Sequence, residues 1–368
     1  MSSFACYRFP HDNRYTCLQL TEGEPEELSR LEQLNGRQGF VMAPFSVTAD
    51  CPILLFPEEK TRKTLIPVPT KRPWEAQQES SVASDNTAAA FDHPSSKDNY
   101  PFARFHQALC ERRFSKLVLA RTEELVAAIR QPQELFEEAC ARYPRMFVAL
   151  VSAPRCGTWL MATPEVLLKK SVSSQTSQEE NAFETMALAG TMKLEGELLE
   201  FDNPSQEKVQ QIRWSQKNIQ EQRYVASYIH ECLKDFATSV DERGPYTTRA
   251  ANLVHLRSDF RFMLRPDCGI GSLLEALHPT PAVCGLPKEE ARAFILDNEP
   301  MPRRYYSGFC GPLNEALYVS LRCVQIEGDH YRLYAGGGLL CDSVEQQEWE
   351  ETEAKMQTMK LCIATKRM

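Results

Sequence analysis

Strand-like segments follow one another in this chain without the intervening helix that a parallel sheet demands. "RMFVALVSA" (145–153) runs almost directly into "GTWLMAT" (157–163). "EVLLKK" (165–170) and "NAFETMALAG" (181–190) flank a polar stretch and read as a hairpin. Near the C-terminus "YYSGFCGPL" (305–313), "ALYVSLRCVQIE" (316–327) and "HYRLYAGGGLL" (330–340) are again nearly contiguous. Parallel neighbours need a crossover of a dozen or more residues, so strands joined this tightly pair antiparallel. Helical spacing is confined to 100–114, 131–144, 204–237, 287–298 and 343–365. Strands and helices therefore mix without a βαβ rhythm. The expectation is an α+β fold, with large antiparallel sheets packed with helices in a single large domain.

Residues 1–57 read as a strand-rich N-terminal part of the same fold. Residues 58–99 turn polar and rich in Pro and Ser, and read as a surface linker. Residues 100–368 carry the remaining elements. The net charge of −8 argues against a nucleic-acid binder or a polybasic membrane protein. No apolar run approaches the ~18 residues of a membrane helix, and the N-terminus lacks the apolar core of a secretory signal. The thirteen cysteines include no C-x-x-C pair and fall mostly in apolar runs. They read as reduced thiols of a cytoplasmic protein.

Several polar residues stand out. Lys116 lies in the apolar strand "SKLVLAR", where a lysine either snorkels from the strand end or has a lowered pKa and serves as a base. Glu165 follows Pro164 between apolar segments. It is an edge glutamate facing water or a desolvated carboxyl suited to general acid work. Arg322 sits in the apolar "YVSLRCVQ", where an arginine usually has an anionic partner. Glu348, Glu351 and Lys355 share one helix face, as do Asn218 and Glu221 on the long helical segment. From spacing alone each face reads first as a solvated salt-bridged surface, the alternative being carboxylates offered to a hard cation such as Mg²⁺. Gly336, Gly337 and Gly338 fit a bulge or a close approach of backbone to an anion. His255 and His278, taken singly, read as structural.

Eight motifs then occur in a telling order: "KLVLAR", "ATPEVLL", "MALAGT", "LHPTPAVCGLP", "YYSGFCGPL", "VSLR", "YAGGGL" and "EWEETEAK". Over residues 100–368 the chain resembles the chorismate-utilising enzymes, which include isochorismate, salicylate, anthranilate and aminodeoxychorismate synthases. The resemblance implies a chorismate-binding catalytic region and a displacement in which a nucleophile adds at C2 while the C4 hydroxyl leaves. It implies Mg²⁺ held by Glu221 and Glu351, with Asn218 and Glu348 behind them. It makes Lys116 the base that activates water and Glu165 the acid that protonates the departing hydroxyl. Tyr306, Arg322, Gly336, Gly338 and Lys355 match contacts to the substrate carboxylates. Gly190, Thr191 and His255 match residues lining the ring site.

Ammonia-using relatives typically carry glutamine at the position of Lys116, and the aminodeoxychorismate type carries a lysine where Ala189 stands. Water is therefore the expected nucleophile, and no glutaminase subunit is expected. Lyase-competent members usually have threonine at the position of Ala282, which favours an isochorismate synthase over a salicylate synthase. A non-catalytic chorismate-binding homologue is the other alternative. Menaquinone biosynthesis is the preferred pathway, with siderophore biosynthesis as its rival. The family pattern Asp-x-x-Glu-His reads here Asn218-x-x-Glu221-Gln222. That change implies a less negative, weaker Mg²⁺ site.

Overall fold

The structure is a computed structural model that describes residues 3–69, 100–171, 181–193, 212–250 and 253–364. In chain order, β1 (Phe4–Arg8) and β2 (Arg14–Leu20) pair, then β3 (Glu26–Leu28), β4 (Gly39–Ala43) and β5 (Ile53–Pro57) form a second group, and β6 (Thr61–Pro67) returns to β2. α1 (Phe102–Cys110) leads into β7 (Lys116–Val126), and α2 (Pro132–Arg142) into β8 (Phe147–Ala153), β9 (Gly157–Thr163), β10 (Val166–Lys170) and β11 (Ala182–Lys193). α3 (Gln216–Phe236) precedes β12 (Ala237–Ala250) and β13 (Leu253–Leu264). Next come α4 (Ile270–Leu277), β14 (Gly285–Leu286) and α5 (Lys288–Asn298). β15 (Phe309–Pro312), β16 (Ala316–Val319), β17 (Cys323–Glu327), β18 (His330–Leu339) and α6 (Glu345–Ala364) complete the order.

The strands form two nine-stranded sheets, ordered β14-β7-β18-β17-β9-β8-β1-β2-β6 and β12-β13-β11-β10-β16-β15-β4-β5-β3. Every strand pairing is antiparallel, as the short links dictate. The sheets face each other across an aromatic core that includes Tyr7, Phe40, Phe56, Phe147, Trp159 and Tyr318. Phe147 and Tyr318 stack across it with ring centroids 4.2 Å apart. The outer face of the first sheet packs on α2 and α6 through Val148, Leu150, Leu135 and Met356. The outer face of the second packs on α3 and α4 through Phe183, Ala187, Val225 and Leu273. Strands such as β8 are thus buried on both faces, which is why their sequences run apolar without alternation. Among the described residues no helix is long and apolar enough to cross a membrane.

Three expectations need correction. The linker expected over 58–99 begins as ordered backbone: β6 pairs with β2 from Arg14↔Pro67 to Leu20↔Thr61. An edge strand is half solvated, so its polar residues are tolerated and disguise it. The rest of that expectation, residues 70–99, lies outside the described residues. The helix expected over 204–237 starts at Gln216, where Ser215 caps it by accepting the Asn218 N–H at 3.1 Å. Residues 204–211 lie outside the described residues. Finally, Cys6 and Cys17 are not free thiols. They face each other in the β1–β2 register and are joined by a disulfide.

Candidate active site

Lys116 opens β7 and is fully buried. The alternation of the strand sends Leu117 and Leu119 toward α1 and α5, and Val118 toward a cavity between the sheets. Lys116 Nζ lies 3.0 Å from Glu221 Oε1 on α3, in an ion contact whose angle does not make it a hydrogen bond. Burial raises the Glu221 pKa, but Lys116 and then Lys217 outweigh that and hold the carboxyl below the ordinary carboxylate range.

The cavity is lined by Glu165, Gly190, Thr191, Glu221, His255, Ala282, Tyr306, Arg322, Gly336, Gly338 and Lys355. Eleven residues singled out in the sequence thus meet at one place. The first sheet supplies Gly336 and Gly338 from β18 and Arg322 from just before β17. The second supplies Gly190 and Thr191 from β11, His255 from β13, and Glu165 from just before β10.

Glu165 is 3% exposed, and burial pushes its pKa up to about 8 against the smaller opposing fields of Lys116 and Lys355. It is therefore a protonated carboxyl at neutral pH. Its backbone is fixed on both sides: its N–H donates to Thr163 Oγ1 at 3.3 Å, and its carbonyl accepts the Val319 N–H at 3.0 Å.

Arg322 is buried with φ +48°, a left-handed conformation that costs a side-chain-bearing residue about 1–3 kcal/mol. That strain aims the guanidinium at the cavity. It donates to His255 Nε2 at 3.2 Å and lies 3.6 Å from Met146 Sδ, both uncharged groups. Burial lowers its pKa to about 10. His255 is kept neutral by burial first and then by the charges of Arg322 and Lys355. Because Nε2 accepts from Arg322, the ring proton sits on Nδ1, 3.3 Å from Thr191 Oγ1. A desolvated guanidinium beside a neutral histidine favours an anion in the cavity. Tyr306, its phenol pKa raised by burial, stacks on Tyr334 with centroids 5.6 Å apart. Lys355 Nζ donates to Gly336 O at 2.8 Å and to Glu351 Oε1 at 2.7 Å.

Gln222 shows what its departure from the family pattern does. It is buried on α3, accepts the Ala189 N–H at 2.9 Å, and donates to Ala187 O at 3.1 Å and Ser258 Oγ at 3.3 Å. The β11–β13 register slips between Ala189 and Thr191, and Gly190 there has φ +68°. Gln222 therefore satisfies backbone groups at the bulge that turns Gly190 and Thr191 to the cavity. Gln222→Leu should cost roughly 2–4 kcal/mol by stranding two buried backbone groups, read as a lower urea midpoint at unchanged m-value.

Asn218, Glu348 and Glu351 line an adjoining cleft that shares Thr191 with the cavity. Asn218 Nδ2 donates to Thr191 O at 3.4 Å. Lys217, which the sequence reading missed, is ion-paired with Glu348. Whether these groups suit a divalent cation can be judged from the donors. Glu348 Oε2 is buried with no hydrogen-bond partner among the described residues. A Cβ on Gly337 would lie 3.1 Å from that oxygen and 3.7 Å from Glu351 Oε1, so both oxygens face one point. Burial, and then the charge of Glu351, raises the Glu348 pKa. In kind these donors fit a hard cation. Among the described residues, however, no three such groups already close around one point. Instead Glu221, Glu351 and Glu348 are paired with Lys116, Lys355 and Lys217. A bound cation would compete with those lysines. The other cavity residues not singled out as contacts are mainly apolar, such as Val118, Leu188, Val283 and Leu321, and nothing distinguishes them in sequence from core.

Comparison with known proteins agrees with this picture. Residues 60–364 match the family described as chorismate binding enzyme. Isochorismate synthase DhbC of Bacillus subtilis is 31% identical over 259 residues, which are 67% of this chain and 62% of that protein. Isochorismate synthase MenF of Escherichia coli is 30% identical over 263 residues, 68% of this chain and 56% of that protein. The matched stretch thus spans about three fifths of the length of these curated relatives. In three dimensions the structure of MenF, the menaquinone-specific isochorismate synthase from Escherichia coli, superposes with a TM-score of 0.75 at 20% identity, covering 99% of this chain and 89% of that one. That likeness establishes the fold of large antiparallel sheets with helices on their outer faces. With the family match running through most of its length, the chain belongs to the chorismate-binding enzyme family.

Proposed function

We propose that the protein is an isochorismate synthase, an isomerase that adds water to C2 of chorismate as the C4 hydroxyl leaves. The observation that carries this reading is a cavity that holds a protonated carboxyl from one sheet and a desolvated arginine from the other, with the buried Lys116 set behind its Glu221 wall. Chorismate carries two carboxylates. Arg322 and Lys355, with the backbone at Gly336 and Gly338, receive them. Lys116 takes a proton from water once Glu221 is engaged by another cation, and Glu165 gives its proton to the departing hydroxyl. Thr191 and the neutral His255 line the ring site, with the Nδ1 proton directed toward Thr191. Mg²⁺, held by Glu221 and Glu351 with Glu348 and Asn218 behind them, would supply positive charge to the substrate carboxylate. Water as nucleophile removes any need for an ammonia-supplying subunit. The product is assigned to menaquinone formation, with siderophore formation as its rival, since isochorismate synthases MenF and DhbC are similar to the chain at 30% and 31% identity.

The test is incubation with chorismate and Mg²⁺ in H₂¹⁸O, with products separated and weighed. Isochorismate carrying one ¹⁸O is expected. Pyruvate release would indicate salicylate synthase instead, and bound but unchanged chorismate a non-catalytic homologue. Gly338 offers a second check, because a Cβ there would lie 2.0 Å from Glu221 Oε1 and 3.0 Å from Lys116 Cε. Gly338→Ala should therefore displace that pair and lower kcat/KM at least about tenfold, a change of ~1.4 kcal/mol in the barrier.

A further inference from the structure

Of the eleven free cysteines, Cys110 and Cys341 alone are exposed, and they lie together. Cys110 ends α1, and Cys341 sits in the turn between β18 and α6. Cys110 Sγ is 3.8 Å from the Cys341 carbonyl oxygen. His106, one turn earlier on α1, joins them: its Nε2 is 3.0 Å from the same carbonyl, and its ring nitrogens are 3.8 and 3.9 Å from Cys110 Sγ. Donation from Nε2 to the carbonyl leaves Nδ1 as an acceptor, 3.9 Å from Cys110 Sγ. An exposed thiol with an imidazole base oriented by a third group is the arrangement of an activated sulfur nucleophile. Cys341, whose backbone carbonyl Cys110 Sγ contacts, carries the second exposed thiol, and a second thiol on an adjoining segment is what a resolving partner requires.

We propose that Cys110 and Cys341 form a redox modification site that takes a low-molecular-weight disulfide such as oxidised glutathione. The Cys110 thiolate attacks one sulfur of the reagent, its proton passing to His106. This forms a mixed disulfide and releases one thiol. The Cys341 thiolate then attacks the Cys110 sulfur and displaces the second thiol. Two protein thiols are oxidised by two electrons, and one disulfide is reduced to two thiols.

Closure calls for a movement of the Cys341 turn. The 3.8 Å contact bounds the Cα–Cα separation at under about 9 Å, against about 4.4–6.8 Å in a disulfide, and Cys341 is an exposed turn residue able to move. Most competing thiols are poorly placed, Cys232 and Cys268 alone among them being half-exposed. Cys140, Cys156, Cys310 and Cys362 are buried, and burial pushes each up to about 12. The turn holding Cys341 joins Gly336–Gly338 to the helix bearing Glu348, Glu351 and Lys355. Tying it to α1 would restrain the wall of the cavity, so oxidation should slow turnover.

The full-length protein is incubated with oxidised glutathione under native conditions and mapped by peptide mass. A Cys110–Cys341 linked peptide is expected, reversed by dithiothreitol. Cys341→Ser should stop at a glutathione adduct on Cys110, and His106→Asn should form that adduct at least about tenfold more slowly. Neither substitution touches the cavity. In parallel, chorismate conversion should fall several-fold on oxidation of the wild type and stay constant in Cys110→Ser. That kinetic arm rests on the proposed function, whereas the linked peptide is read by mass whatever the protein catalyses. Absence of the linked peptide, or adducts spread evenly over other cysteines, overturns the site. A linked peptide with unchanged conversion in an active enzyme overturns its effect on catalysis.

Discussion

Lys116→Gln is expected to abolish incorporation of ¹⁸O from water into isochorismate, with a loss in kcat of about 10²–10⁴ typical of removing a general base. Glutamine suits the test because it keeps a polar group of similar reach against Glu221 while removing the basic amine. The site makes the stakes of this position high. Lys116 is fully buried, and its ammonium balances a carboxylate that is itself only 8% exposed. Breaking a buried pair from one side costs about 3–5 kcal/mol when nothing replaces the lost partner. The glutamine amide leaves a polar group facing Glu221, so a smaller loss is expected, seen as a modest fall in melting temperature with the fold retained. Loss of turnover in a folded protein that still binds chorismate supports the base assignment. Conversion near the wild-type rate overturns it, because no amide could take the proton from water.

Lys116 also shows where sequence reading reaches its limit. Its strand is legible from apolar residues alone, but periodicity cannot tell which end of a strand is wet. A snorkelling lysine and a buried one have the same neighbours in sequence. The structure decides because β14 covers the start of β7, pairing Leu286 with Lys116, and α3 delivers Glu221 from about a hundred residues away. The sheets themselves were readable because both faces of β8 and β9 are buried and the links between strands are short. The fourteen-residue β12, by contrast, has no such signal. It lies at the edge of its sheet, carries Asp241, Glu242 and Arg243, and is interrupted at Gly244–Pro245. Edge strands tolerate charge and proline because one side of their backbone pairs with nothing. Helix α4 escaped for another reason: its eight residues, five of them apolar, make too short a run for periodicity to separate a helix from a strand.

The cation side of the site was legible in part. The spacing of Glu348, Glu351 and Lys355 puts them on one helix face, which the structure keeps. Missing from that reading was Lys217, next to Asn218 and reaching across to Glu348. Three glutamates and three lysines make this cluster close to charge-neutral without Asn218, so a carboxylate at that position would leave an uncompensated charge. Asparagine in place of the family's aspartate thus has a physical consequence that needs no bound ion. It lets the lysine pairs stand unopposed when no divalent ion is present.

Glu165→Gln should separate catalysis from stability, because at this position the two respond in opposite directions. Burial holds the folded-state pKa at about 8, above the ordinary value of 4.5. In the unfolded chain the carboxyl ionises near that ordinary value, so between the two values the folded protein holds a proton that the unfolded chain has lost. Stability from this group is complete below pH 4.5, declines as pH rises, and is gone once the pH passes about 8. Glutamine does not titrate, and it resembles the protonated carboxyl in shape. The variant should therefore lack this decline, and its melting temperature relative to wild type should rise between pH 5 and pH 8.5. Turnover should move the other way, falling by about 10²–10⁴ because the amide has no proton to give the leaving hydroxyl. In the wild type the rate should drop as pH rises through about 8, where the acid form of Glu165 is lost. That limb should vanish from the residual activity of the variant. If it persists in Glu165→Gln, the titrating acid is another group. If the variant is both slower and less stable at pH 8.5, the carboxyl is not held protonated by its burial and the acid assignment falls with it.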